Sequence, residues 1–435
     1  MKNHRDIKAE TFTKKVLPEK YLMRMREIFG EGYEDFVASY DRPPIKGLRF
    51  NTLKARPDTI KKLEELWELG TVAWCSSGRT YIEESKDRTI RPGKSPYHAA
   101  GVFYIQEPSA MLTAEMADIG PNDKVLDLCA APGGKSGQAA CKAGFLLSNE
   151  IMKDRARILS SNIERMGCKN VIVSSAKSEE LAAAFPEYFD RIITDAPCSG
   201  EGMMRRDDTA VREWSPENVE LCVCRQRQIL REAVKMLKPG GRLVYSTCTF
   251  EPEENIRMAE WLCNEYPEFK LIHAKSLYPH EVEGEGHFCA VMEKEGSSIE
   301  ASDLDLQASM KEALERLYKN KIHVLRAGVQ KGEYIEGKYK KSKTKIYVPS
   351  HAEILAMGPE ELRQGSIDLK SETAALRYLK GESIRLSDLS MSDYELFSAG
   401  EGEFTAVSFD GYALGLGKYV NGVIKNHYPK GLRQL

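Results

Sequence analysis

The chain has 435 residues, 42% of them hydrophobic and 29% charged, with a formal net charge of -2. This length allows two or three domains with a large core, and the composition excludes a disordered or fibrous chain. The near-neutral charge also excludes nucleic-acid binding through overall basicity, so any such surface must come from local clustering.

Met1-Lys-Asn-His-Arg-Asp6 lacks an apolar signal core, and no run approaches the ~18 apolar residues of a membrane span, so the expected compartment is the cytoplasm. Residues 1–97 mix helix and strand. Pro18 to Phe29 has apolar spacing near ~3.6 and begins with proline, as helices often do. Leu48 to Leu53 follows a Pro-Pro-Ile-Lys-Gly turn and reads as a strand. From 98 to 294 strand, Gly or Pro turn and helix alternate, the signature of a parallel sheet. Strands are expected at 124–128, 144–149, 171–174, 190–195 and 241–246, then near 269–273 and 288–293, giving a seven-stranded doubly wound α/β sheet. Polar, acidic residues 293–305 read as a linker. A β-rich domain over 307–435 opens with a helix near 307–319 and closes in hairpins at Asp410-Gly411 and Asn421-Gly422. Within it, Lys319 to Tyr347 carries nine Lys or Arg against two Glu.

Three of the expected strands end in turns that carry chemistry. They are Val125-Leu-Asp-Leu-Cys-Ala-Ala-Pro-Gly-Gly-Lys135, Asp195-Ala-Pro-Cys-Ser-Gly200 and Tyr245-Ser-Thr-Cys-Thr-Phe250. An open α/β sheet presents such strand ends to a ligand along its carboxyl edge. Cys198 and Cys248 are therefore candidate nucleophiles beside a nucleotide-type cofactor. The remaining cysteines suggest less. None of the ten lies in a Cys-x-x-Cys pair, so no metal site is expected. Cys75, Cys141, Cys168, Cys263 and Cys289 read as small buried hydrophobes. Cys222 and Cys224 fall in a helical segment and face different sides.

The first turn lacks both Gly-x-Gly-x-x-Gly and the Walker spacing. Its glycines permit close backbone approach, and Glu150, 23 positions after Asp127, stands where an acid hydrogen-bonds ribose hydroxyls. That favours a cofactor with a sugar and a charged non-phosphate end, such as S-adenosylmethionine, over a phosphate-anchored one. A plain glycine turn closing a βα unit is the alternative.

Leu128 to Ser136, Asp195 to Gly202, and Tyr245 to Phe250 with Pro252-Glu-Glu-Asn255 closely resemble the Nop/Sun family of RNA 5-methylcytosine methyltransferases. The resemblance covers residues 16–293. Tyr104-Ile-Gln-Glu-Pro-Ser109, Gly284-Glu-Gly-His-Phe288 and Lys425 to Arg433 look like its RsmF branch, which acts on small-subunit (16S) ribosomal RNA and carries a PUA-like C-terminal domain. The resemblance implies a Rossmann-like class I methyltransferase sheet and S-adenosyl-L-methionine as cofactor. Its contacts would fall on Cys129, Ala130, Ala131, Pro132, Gly133, Gly134, Lys135, Glu150 and Asp195. The family's acid for the adenine is missing at Val173-Ser-Ser-Ala-Lys177, so that contact stays unassigned. Cys248 would attack cytosine carbon-6 and Cys198 would help to resolve the adduct, whereas in DNA cytosine methyltransferases the Pro-Cys cysteine attacks. Asp195 would bind the base edge, and Lys135 would orient Asp195 or the base, or else merely start a helix in solvent.

RNA, either 16S rRNA or the small ribosomal subunit, is the expected partner of a monomer without membrane contact. The N-terminal region, Lys153 to Arg157, the basic stretch with Lys338, Lys340, Lys341 and Lys343, and the tail from Lys425 to Arg433 are candidate RNA surfaces. A solvated face is the alternative for the basic stretch and the tail, and Arg155 and Arg157 are equally readable as ordinary surface charges on a helix. His280 and His287 read first as structural. A transfer-RNA cytosine methyltransferase and a non-catalytic RNA-binding assembly factor are the rival readings.

Overall fold

The computed structural model describes residues 16–83, 91–297, 303–336, 345–397 and 401–433. Its centre is a sheet of strands β1 (Lys124–Asp127), β2 (Phe145–Asn149), β3 (Val171–Ser175), β4 (Phe189–Asp195), β5 (Leu237–Thr247), β6 (Phe269–Leu277), β7 (His287–Lys294) and β8 (His323–Ala327). Helices α1 (Gly134–Ala140), α2 (Lys153–Met166), α3 (Ser178–Ala184), α4 (Pro216–Met236), α5 (Ile256–Glu265) and α6 (Leu306–Lys319) accompany it. The strand order is β6-β7-β5-β4-β1-β2-β3-β8. β1 to β5 are parallel, and β6, β7 and β8 run antiparallel to their neighbours.

The central strands are apolar on both faces because helices cover both. Leu126, Leu147 and Ile172 enter one core, and Val125, Leu146 and Val171 enter the other. Local signals fix the helix ends. Ser215 caps α4 by accepting the Asn218 N–H at 3.1 Å, ahead of Pro216 in the first turn. Gly167 ends α2 with φ +73°.

All seven expected strands are present, and an eighth joins them. β8 pairs antiparallel with β3, from His323 opposite Ser175 to Ala327 opposite Ile172. It comes from the stretch expected to form a basic RNA face. α6 packs with it, burying Ala313 and Leu317 in the central core. The expected domain start at 307 is thereby corrected, since residues 306–327 complete the central sheet. The expected boundary at 97/98 also moves. Phe103–Ile105 pairs with Lys46–Phe50, closing a four-stranded N-terminal sheet with Gly70–Val72 and Cys75–Tyr81.

The C-terminal part holds a six-stranded sheet of Ile384–Arg385, Val423–Asn426, Tyr412–Val420, Phe404–Phe409, Ser366–Leu369 and Tyr394–Phe397. Both expected hairpins are there. Asp410 and Gly411 have φ +51° and +76°, and Asn421 and Gly422 have +49° and +73°, as tight two-residue turns require. This domain shares a core with the N-terminal one, where Leu48, Phe50 and Trp67 pack in one cluster with Ile367, Tyr378 and Val407. Tyr97 donates to the Asp410 carboxylate at 2.7 Å, and Tyr412 to Thr59 at 2.9 Å, across the same junction. Among the described residues no helix is long and apolar enough to cross a membrane.

Candidate active site

The strand order reverses between β1 and β4, so the loops after them part and leave a crevice at the carboxyl edge. The loop after β1 is tied at several points. Ala130 N–H donates to Asn149 O at 2.8 Å, Arg155 to Ala131 O at 3.0 Å, and Asn162 to Pro132 O at 2.9 Å. Gly133 has φ +112°, which favours glycine, and a Cβ on Gly134 would lie 3.2 Å from the Tyr104 ring. Cys129 lies in this loop half-buried, its thiol pushed up by burial and then by neighbouring carboxylates.

Two carboxylates flank the loop. Asp127 is fully buried. One oxygen accepts the Ser136 hydroxyl at 2.6 Å, while Oδ1 has no hydrogen-bond partner. Burial raises its pKa to about 7 against the pull of that hydrogen bond. Glu150, 3% exposed, accepts the Met152 N–H at 2.9 Å through Oε1, and Arg155 stands 3.5 Å from Oε2. No acid stands at the end of β3. There the Asn149 side-chain oxygen accepts both the Ser174 hydroxyl and the Ala176 N–H at 3.0 Å.

Asp195 ends β4 with its side chain 32% exposed. Its Oδ2 lies 2.8 Å from the Lys135 ammonium, and its Oδ1 accepts the Ser246 hydroxyl at 2.8 Å. Burial pushes this carboxyl up, but the Lys135 ammonium, with the Ser246 hydrogen bond, holds it below the ordinary carboxylate value. Burial pulls the Lys135 ammonium down, and Asp195 more than reverses this, leaving its pKa raised. His287 Nε2 lies 3.7 Å from Asp195 Oδ1 and 3.1 Å from the Thr113 hydroxyl. Burial, aided by Lys135, lowers its pKa to about 3, so it is neutral. His280 belongs elsewhere, stacked on Tyr278 with Phe29 and Phe36 edge-on to it.

Beside Asp195 the two cysteine loops meet. Cys198 Sγ and Cys248 Sγ are 3.4 Å apart. The hydrogen bond to Cys248, and then burial, push the Cys198 thiol well up. Gly202 N–H donates to Cys248 O at 2.8 Å, and the Ser199 and Thr249 hydroxyls are 2.7 Å apart. Glu201 accepts Trp214 Nε1–H at 2.8 Å and the Phe250 N–H at 2.7 Å. The structure thus brings Lys135, Asp195, Cys198 and Cys248 together, with Cys129 to Gly134 and Glu150 along the same edge. Sequence reasoning gave no role to Ser246, Glu201, Gln226 or Glu254. The last stands in the quoted Pro252-Glu-Glu-Asn255 motif.

The basic candidates are less uniform. In the expected RNA stretch Arg326 is buried and paired with Glu164, and Lys331 pairs with Glu353. Lys338, Lys340, Lys341 and Lys343 lie outside the described residues. In the tail, Tyr428 packs on His351 and Tyr378 inside the C-terminal domain, while Lys425 is exposed. Among the described residues no group of three His, Cys, Asp or Glu could hold a metal ion.

Residues 114–293 match the family described as 16S rRNA methyltransferase RsmB/F. Residues 17–108 match the N-terminal domain of 16S rRNA methyltransferase RsmF, and 366–434 the methyltransferase RsmF PUA domain. The chain is 40% identical over 275 residues to ribosomal RNA small subunit methyltransferase F of Cronobacter sakazakii, covering 60% of this chain and 57% of that one. It is 36% identical over 313 residues to the protein of the same description from Pectobacterium atrosepticum, covering 66% of this chain and 64% of that one. It thus spans somewhat over half the length of these curated relatives. A solved methyltransferase homolog protein from Pyrococcus horikoshii is 28% identical, with a TM-score of 0.57 over 64% of this chain and 95% of that one. With three regions matched in order to parts of one kind of enzyme, the chain belongs to the RsmF-type 16S rRNA methyltransferase family.

Proposed function

We propose that the chain transfers a methyl group from S-adenosylmethionine to carbon-5 of a cytosine in RNA, with 16S rRNA as substrate. The observation that carries this reading is the pair of thiols 3.4 Å apart beside the Lys135–Asp195 pair at the sheet's switch point. The carboxyl edge fits the cofactor. Gly133 and Gly134 admit close approach, Glu150 offers a buried carboxylate to a ribose, and the orphaned Asp127 Oδ1 offers an acceptor to an ammonium group. Bound there, the cofactor supplies an electrophilic methyl group.

Cytosine carbon-5 is too poor a nucleophile to take that group unaided. The Cys248 thiolate adds to carbon-6, forming a C–S bond and placing electron density on carbon-5. The 3.4 Å between the two sulfurs supports a division of labour in which one thiol attacks and the other acts on the adduct. Asp195, fixed by Lys135 and Ser246, accepts from the amino group on the edge of the base and so holds the ring for the addition step. After methylation the carbon-5 proton is lost to water, the electron pair left behind re-forms the carbon-5 to carbon-6 double bond and expels Cys248 as a thiolate, and Cys198 assists this resolution. The target base must leave its stack to enter.

The test is methyl transfer to 16S rRNA with Cys248→Ala and Cys198→Ala. The first should abolish transfer while cofactor binding persists, and the second should accumulate a covalent protein–RNA adduct seen as a slow gel band. Adduct with Cys248→Ala and none with Cys198→Ala would reverse the roles. Transfer to transfer RNA alone would move the substrate.

A further inference from the structure

Glu254 is fully buried six positions beyond Cys248, and its bonds run back to Cys198. One oxygen, Oε2, accepts the Ser199 N–H at 3.0 Å and the Gln226 side-chain amide at 2.7 Å. The same Gln226 amide donates to Pro197 O at 3.1 Å. The residues immediately before and after Cys198 are therefore held by one carboxylate and one amide. Glu254 is in turn anchored to the Cys248 strand, because the Tyr245 hydroxyl donates to its main-chain oxygen at 2.6 Å. Its other oxygen, Oε1, is buried without a partner, and burial raises its pKa despite the Ser199 and Gln226 hydrogen bonds. A buried carboxylate in so apolar a place costs stability unless it holds something in return.

We propose that Glu254, acting with Gln226, is a positioning residue that locks the Cys198 loop onto the Cys248 loop and so sets the separation of the two thiols. The inference rests on the two-thiol chemistry proposed above, in which Cys198 works after methyl transfer. Loosening the clamp should spare cofactor binding, RNA binding and the first attack, and slow resolution of the adduct. kcat then falls with KM little changed. Glutamine fits the role as well as glutamate, since its oxygen can accept both N–H donors in place of Oε2.

Thiol separation can be read without cofactor or RNA. Diamide oxidises two neighbouring thiols to a disulfide, its azo group taking up both hydrogens, and the Cys198–Cys248 peptide pair is scored by mass spectrometry. The wild type should cross-link readily. Glu254→Ala should cross-link about tenfold or more slowly and lose a similar factor in kcat, the scale of effect when a reacting group shifts by ~1 Å. It should also accumulate the adduct, while Glu254→Gln recovers both cross-linking and turnover. Should Glu254→Ala fail to fold, Gln226→Ala is scored by the same measurements. Cross-linking at the wild-type rate in a folded clamp variant, with no adduct, overturns the proposal. If Cys198→Ala traps no adduct, the two-thiol reading falls instead, and the cross-linking rates still judge the clamp.

Discussion

Replacing Lys135 by Met keeps the length of the stem and removes the ammonium that pairs with Asp195. A buried ion pair loses about 3–5 kcal/mol when one partner is removed, and an exposed pair about 0–1 kcal/mol. The Lys135 side chain is 10% exposed and that of Asp195 32%. The loss should accordingly fall between those limits, at about 1–3 kcal/mol. For a domain of this size that lowers Tm by about 2–12 °C. The pH dependence follows from both shifts. Asp195 has a depressed pKa, so its share of the stability is present above the unfolded carboxylate value and fades as pH falls through the folded one. Lys135 has a raised pKa, so its share is complete below the unfolded lysine value and fades as pH rises through the folded one. The Tm gap between wild type and Lys135→Met should therefore be widest from about pH 5 to about pH 10 and narrow on either side. Thermal scans from about pH 3 to about pH 11, with Asp195→Asn and the double variant, make the assay. The double variant should lose clearly less than the sum of the single ones. A gap equally wide at pH 3.5 and pH 7, together with additive losses, would refute the ion-pair argument.

Glu150→Ala should weaken adenosylmethionine binding by about 1–3 kcal/mol, or about 5- to 150-fold, as a buried polar partner is lost, and calorimetry reads this directly. Asp127 has its pKa raised to about 7 by burial, so its contribution is most favourable below the unfolded value of ~3.9 and declines as pH rises towards the folded value. Asp127→Asn should gain in Tm relative to wild type between those pH values and hold the gain above them; a pH-independent difference would deny the buried-carboxyl argument. A chain ending at Glu293 removes α6 and β8, uncovering the surfaces under Ala313 and Leu317, and should lose its cooperative melt. One ending at Gly328 keeps both elements around the central sheet and should melt more cooperatively than the shorter one, as a scan of the two would show.

The parallel strands were legible because runs such as Val125-Leu126, Leu146-Leu147 and Val171-Ile172 are apolar throughout, as burial on both faces demands. The cysteines stood out because strand ends coincide with thiols. β8 was hidden for the opposite reason. His323-Val-Leu-Arg-Ala327 lies in a lysine-rich stretch at the sheet's edge, and its arginine is matched by Glu164 on α2, a partner 162 residues away. The N-terminal boundary failed likewise, since Phe103–Ile105 pairs with a strand that precedes it by some fifty residues. Glu254 was visible only as part of a motif. Its meaning depends on Ser199 and Gln226, which no local pattern joins to it.

The late arrival of β8 sets an order of events during synthesis. β3 is complete at Ser175, yet its covering strand begins at His323. About 150 residues must be made in between, on the order of 7–30 s at ~5–20 residues per second. Through that interval the nascent sheet carries an open edge of unpaired N–H and C=O groups, the kind that recruits foreign strands. The N-terminal domain waits longer still, because Ile367, Tyr378 and Val407 complete the core around Leu48 and Trp67. A pause or premature stop between Cys248 and His323 leaves a chain with both neighbouring thiols already made and two of its surfaces uncovered. Such fragments are natural clients for chaperones and proteases, and the two faces close in turn, the first with β8 and the second once Val407 is made.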